Sequence, residues 1–374
     1  PQDRVAIVFS DITRPTPNHL LLPAVLQELA HVPPERILLC NALGTHRANT
    51  RAELEQLLGA DLVQRYRIVQ NDAANANTQQ YLGRSSFGHE IWLNREDLQA
   101  DVKILTGFIE PHFFAGFSGG GKAVMPGMAG QRTVFGNHDA GMIADPRATW
   151  GVTRGNPVWE EAREVALLTR PDLLLNVTLN RDKQMTGVFA GQLEAAHDAG
   201  IAFARESSMV AVAQPCDIVI TTNSGWPLDM NLYQAVKGMS AAEQIVREGG
   251  SIILAAECAE GIPAHGLYGQ LLREAGSPAE LAHDIATSRE TRQDQWQAQI
   301  QARIQARARV YVHSDRLTPA QIEAALLLPC PDIAALVARL RRRHGADARI
   351  GVLPEGPQTI PWLPSREMAE PQQP

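Results

Sequence analysis

The stretch EPHFFAGFSGGGKAVMPG, Glu110 to Gly127, gathers Gly116, Gly119, Gly120 and Gly121 ahead of Lys122. Gly116, Gly121 and Lys122 fit the G-x-x-x-x-G-K spacing of a triphosphate-binding loop, but Ala123 stands where a Ser or Thr would hold magnesium. The loop does not leave its strand directly, as such loops must if their amides and the following helix are to face phosphates. Glycines beside a lysine still let a backbone approach a ligand closely. That suits a mononucleotide phosphate, or a covalent link to Lys122, better than ATP.

Other stretches place reactive side chains in equivalent positions. SDITRPTPNHL follows the first apolar run, NALGTHRANT the second, and IEPHFFAGF the run at 102–109. In a parallel α/β sheet the residues just beyond the strand C-termini share one edge, where ligands bind. Asp11, Arg14, His46, Arg47, His112 and Lys122 are therefore expected at one edge although they are distant in sequence. GNHDAG adds His138.

The elements that must position them alternate. RVAIVFS (4–10), RILLCN (36–41), VKILTGFI (102–109) and DLLLNVTLN (172–180) read as buried strands, being short, apolar and bounded by turn residues. HLLLPAVLQELAHV and TRAELEQLLGADLVQRY carry apolar residues at helical spacing. A second series starts after residue 213. DIVITTN (217–223), SIILAAEC (251–258) and VYVHS read as strands, and SAAEQIVREGG as a helix stopped by Gly249 and Gly250. A long helix is expected over 287–308, with Trp296, Ile300 and Ile304 on one face, and another over PDIAALVARLRRR. The expected class is α/β: two domains with largely parallel sheets, 1–213 and 214–345, and an active-site cleft between them. Residues 346–363 are expected as a strand and loop returning to the first domain, and 364–374 as a polar tail.

Composition excludes other classes. The 374 residues are 44% hydrophobic and 20% charged, with a net charge of −7 that opposes nucleic-acid binding. No apolar run is long enough to span a membrane. Cys40, Cys216, Cys258 and Cys330 form no C-x-x-C pair and sit in or beside apolar stretches, as reduced thiols of a cytoplasmic protein would. The chain opens on Pro1 and almost at once enters a strand, so a preceding segment is expected.

Taken in order, DITRPTP, GTHR, EPHFFAGFSGGGK, GNHDAGMI, TTNSGWPLDMNLYQAVKGMSAA and LPEGPQTIP resemble the nickel-dependent lactate racemase family, whose members racemise or epimerise 2-hydroxy acids. The resemblance implies a nickel pincer nucleotide, a pyridinium mononucleotide carrying nickel and attached covalently through Lys122. It implies His138 as the protein's nickel ligand, and it places Asp11, Thr13, Gly119, Gly120 and Gly121 around the cofactor. His46 and His112 become the acid/base pair, and Arg14, Gln234 and Lys237 the substrate-binding residues. Proteins that build the cofactor become partners, and a small 2-hydroxy acid the substrate.

That chemistry is physically reasonable. Deprotonating C2 beside a carboxylate would concentrate negative charge, whereas removing hydrogen as hydride leaves a planar 2-keto acid that can turn over. Histidines titrate near neutrality and suit the accompanying proton transfer. Arg14 can grip a carboxylate with two parallel hydrogen bonds. Imidazole suits nickel, zinc and copper alike, so only the resemblance names the metal. A P-loop-like phosphotransferase and a non-catalytic nucleotide- or metabolite-binding relative are the alternatives. The remaining histidines, His197 among them, are expected as structural or exposed.

Overall fold

The computed structural model describes residues 2–345 and 347–364. Most of the expected tail therefore lies outside the described residues. Contacts divide the chain into two compact units. Unit 1 comprises residues 1–110, 117–137 and 155–206; unit 2 comprises 111–116, 138–154 and 207–374. Two short pieces of the expected first domain, 111–116 and 138–154, thus pack with the second unit.

Unit 1 is built on a six-stranded sheet in the order Met185–Gly191, Leu173–Leu179, Val102–Phe108, Val5–Ser10, Ile37–Ala42, Arg67–Gln70. All neighbours are parallel except Met185–Gly191, which runs antiparallel at one edge. Val5–Ser10 is central and buried on both faces, as its unbroken apolar run requires. Ile7, Phe9, Leu22, Leu39 and Val177 are fully buried in the unit's core. The helix Asn18–Glu28 adds Leu21, Leu22, Val25 and Leu26 from one face. No side chain caps its start. The helix Arg51–Leu58 opens on a reciprocal capping box, in which Glu53 N–H donates to Thr50 Oγ1 and Thr50 N–H to Glu53 Oε2. Arg47 donates to both Glu53 oxygens at 2.9 and 2.7 Å, so this exposed arginine is engaged by the cap.

Unit 2 holds a five-stranded, all-parallel sheet in the order Leu328–Pro329, Arg309–His313, Val246–Ala255, Cys216–Thr222, Ile350–Leu353. Ile218, Ile253, Tyr311, Leu336 and Leu340 form its core cluster with Cys330. Two expectations are corrected here. The helix Leu232–Glu243 ends before the glycine pair, and Gly249 and Gly250 lie inside the strand Val246–Ala255. Pairing jumps from Cys216–Val246 to Ile218–Ser251, and Gly249, at φ +69°, absorbs the extra residues as a bulge. The helix Pro278–Thr287 ends where the helix expected over 287–308 would start; that helix begins only at Gln295 and runs to Arg307, after Asp294 turns left-handed at φ 65°. Its apolar face is nevertheless buried at Trp296, Ile300 and Ile304. The closing segment pairs as two strands: Ile350–Leu353 beside Cys216–Thr222, and Ile360–Trp362 beside Met209–Ala211, residues of the expected first domain, 1–213, that pack in unit 2. Parallel pairing satisfies its backbone there.

Candidate active site

In unit 1 the strands Val5–Ser10 and Ile37–Ala42 pair in register, Ser10 opposite Ala42. The loops that leave them are therefore neighbours, and they carry Asp11 and His46. Asp11 Oδ2 lies 2.7 Å from His46 Nδ1. Thr13 Oγ1 donates to Asp11 Oδ1 at 2.7 Å, and Arg14 Nη1 donates to Thr13 Oγ1 at 2.9 Å. Asp11 is 4% exposed. Burial pushes its carboxyl up, but His46, Arg14 and Thr13 more than offset this and hold it below the ordinary value. An ionised carboxylate only accepts, so His46 carries a proton on Nδ1 and, when neutral, offers a lone pair at Nε2.

The glycine loop follows the neighbouring strand Val102–Phe108 in the chain, after the short strands Pro111–His112 and Gly116–Phe117. Gly119 and Gly120 take φ +80° and +53°, which explains their identity, and Gly120–Ala123 form a single 3₁₀ turn. A phosphate-binding loop would run into an α-helix here; the next helix is Gln131–Asn137. Lys122 is partly covered by surface area, but its ammonium is deeply buried. Burial, with the nearby Arg14 charge, pushes it down to about 7. Near neutral pH about half of such amines are unprotonated and nucleophilic.

Unit 2 carries the other candidates. His112 is 8% exposed and accepts at Nδ1 from Ala115 N–H at 3.2 Å, with Phe114 N–H at 3.5 Å. Neutral His112 therefore keeps its proton on Nε2, the opposite tautomer to His46. His138, 4% exposed, sits edge-on to Phe114 and Trp296, with ring centroids 5.1 and 5.0 Å away. Trp296 Nε1 donates to Tyr233 Oη at 3.0 Å, tying that wall to the helix Leu232–Glu243. The same helix presents Gln234 and Lys237 one turn apart, and Lys237 Nζ donates to Gln234 Oε1 at 2.6 Å. Asn231 caps it by accepting from Gln234 N–H at 3.1 Å. Asn223 is fully buried and accepts from Gly238 N–H at 2.8 Å, so it holds the helix.

The structure thus brings Asp11, Thr13, Arg14 and His46 into one hydrogen-bonded chain and puts Arg14's charge near Lys122. His112, His138, Gln234 and Lys237 belong to unit 2. The Asp11–His46 pairing was not anticipated, although two consecutive parallel strands place such loops side by side. No group of three or more His, Cys, Asp or Glu among the described residues could hold a metal ion. A single imidazole, His138, fits a metal whose other ligands come from an organic group. A nucleophilic amine on a glycine loop fits covalent attachment of that group.

A family model described as the lactate racemase N-terminal domain matches residues 1–151, and one described as the lactate racemase C-terminal domain matches 211–360. The lactate racemase of Lactiplantibacillus plantarum is 39% identical over 94% of this chain and 83% of its own length. That of Thermoanaerobacterium thermosaccharolyticum is 35% identical over 95% and 84%. The structure of the latter organism's lactate racemase apoprotein superposes with a TM-score of 0.91 at 34% identity, covering 96% of this chain and 86% of that one. A Thermotoga maritima protein shares the fold, with a TM-score of 0.75 at 17% identity over 96% and 94% of the two chains.

Proposed function

This chain belongs to the lactate racemase family and is an isomerase, and from that premise we propose that it inverts C2 of lactate or a close 2-hydroxy acid. The observation that carries the reading is Lys122, whose buried amine is pushed down to about 7 at the end of a glycine loop. Lys122 holds a nickel pincer nucleotide covalently, His138 gives nickel its protein ligand, and Asp11, Thr13 and Gly119–Gly121 border the nucleotide. When bound, that group supplies a reversible acceptor for the hydrogen on C2.

The chain's own residues do the rest. Arg14 binds the substrate carboxylate, and Gln234 and Lys237 add a hydrogen bond and a positive charge. His46 accepts the hydroxyl proton at Nε2, and the Asp11 carboxylate stabilises the imidazolium that results. His112, with its neutral proton on Nε2, hydrogen-bonds the substrate oxygen. It gives that oxygen a proton only from its imidazolium form, in which the Nδ1 proton would face the Ala115 N–H. The two imidazoles are therefore unequal at rest. Proteins that build the nucleotide are the partners, and four buried thiols suit a cytoplasmic setting.

The test is intact mass and metal analysis of wild type and Lys122→Ala, each co-produced with the cofactor-building proteins, followed by a chiral lactate assay. The expected result is a mononucleotide adduct with one nickel per chain, lost together in the variant. Wild type without adduct or nickel, when co-produced with the cofactor-building proteins, would overturn the reading.

A further inference from the structure

The glycine loop of unit 1 rests on two side chains that lie outside every family motif quoted above, Asn176 and His197. His197, from the helix Leu193–Ser208, is 2% exposed, and its Nε2 lies 3.0 Å from the Ser118 carbonyl oxygen. A carbonyl only accepts, so Nε2 carries the proton and donates. On the other side of the same turn, Gly120 N–H donates to Asn176 Oδ1 at 2.8 Å. Asn176 is 1% exposed and lies in the strand Leu173–Leu179.

Both contacts are tight. A Cβ built on Gly120 would overlap the His197 ring, and one on Gly119 would lie 2.5 Å from Asn176 Oδ1. One on Gly121 would lie 2.8 Å from the Ala162 carbonyl. Behind the imidazole, Trp159 stacks at 6.0 Å and 23°, with the Arg163 guanidinium over the indole at 4.7 Å. The ring therefore has no room to turn. Burial pushes His197 down to about 4, so it stays neutral near pH 7 and the donor is always present. From this clamped turn the chain passes directly to Lys122, whose own N–H donates to Gly119 O at 3.1 Å.

We propose that His197 and Asn176 are positioning residues for Lys122, gripping the Ser118 carbonyl and the Gly120 amide so that the amine is held in place before anything is joined to it. The functional meaning rests on Lys122 being the attachment point, but the clamp can be tested without the cofactor. Amine labelling by reductive methylation, read peptide by peptide, gives the reactivity of Lys122 relative to Lys183 on the unloaded full chain. His197→Gln keeps an N–H donor; His197→Leu and Asn176→Ala do not. Ile7→Ala, a change in the unit's buried core, controls for general loosening.

His197→Leu and Asn176→Ala are expected to change the Lys122-to-Lys183 ratio roughly threefold or more, while His197→Gln and Ile7→Ala keep it near wild type. If His197→Leu does not fold, Asn176→Ala against Ile7→Ala decides. An unchanged ratio in the donor-less and acceptor-less variants, or an equal change in Ile7→Ala, would overturn the clamp. A shifted ratio in a chain whose wild type never takes up the nucleotide would leave the clamp standing and remove only the attachment reading.

Discussion

At 2.7 Å from an ionised Asp11, His46 keeps its proton on Nδ1, so the nitrogen available to a substrate is Nε2. Replacing Asp11 by Asn keeps the shape but removes the charge and lets the amide donate to Nδ1, which favours the wrong tautomer. Asp11→Asn is expected to lower kcat/KM for lactate by roughly 10²–10⁴-fold with little change in Tm. Chiral assay of equally loaded proteins checks this, and a loss under about threefold would mean that the carboxylate does not orient the base. His112 differs, since backbone N–H groups of its own loop face its Nδ1. Nothing in GTHR or EPHFF announces the contrast. It depends on which neighbour reaches each ring.

Among the elements, the helix Leu232–Glu243 has the clearest division of labour. Its first turn is fixed by Asn231, its middle is pinned by Asn223 through Gly238, and its polar face offers Gln234 and Lys237. The cap accepts from Gln234 N–H itself, so losing it loosens the residue proposed to bind substrate. Asn231→Ala is expected to cost about 1 kcal/mol of stability and to raise KM more than it lowers kcat. Thermal melts and substrate saturation curves check the pair. An unchanged KM beside the stability loss would confine Asn231 to a structural role. The resemblance marked Gln234 and Lys237, but the sequence pattern put the helix too late, over 240–250. Ser240–Gly250 has apolar residues at helical spacing, yet its C-terminal half forms a bulged strand, because Ile252, Ile253 and Leu254 must reach the centre of a parallel sheet.

For the molecule as a whole, Lys122 is a stability liability that the proposed attachment explains. Its pKa is near 10.5 unfolded and about 7 folded, so between those values the unfolded chain binds more protons. Stability contributed by the neutral amine is therefore full above about 10.5 and falls as pH drops towards 7, by on the order of 4 kcal/mol. Lys122→Met in the unloaded protein is expected to melt higher at pH 7 and to narrow the gap between pH 7 and pH 10. Scanning calorimetry of both proteins across that range checks this. Equal pH slopes would mean the amine is solvated in the folded chain. His197 follows the same rule at lower pH: with its pKa pushed down to about 4, it contributes stability that is lost as pH falls from 6.5 towards 4.

Short apolar runs alternating with segments of helical spacing specify an α/β chain with largely parallel strands, because that alternation leaves few other ways to bury them. The motif order by itself identified the family, because six ordered motifs are far more specific than any one alone. Segment membership was another matter. That residues 111–116 and 138–154 pack with the second unit, and that Ile350–Leu353 extends its sheet, depends on long-range strand and side-chain pairing that local pattern does not encode. The tautomers of His46 and His112, the neutral state of His197 and the lowered pKa of Lys122 likewise arose only on folding. Each is set by burial and by a partner distant in sequence or by a backbone turn, and both are properties of the packed chain.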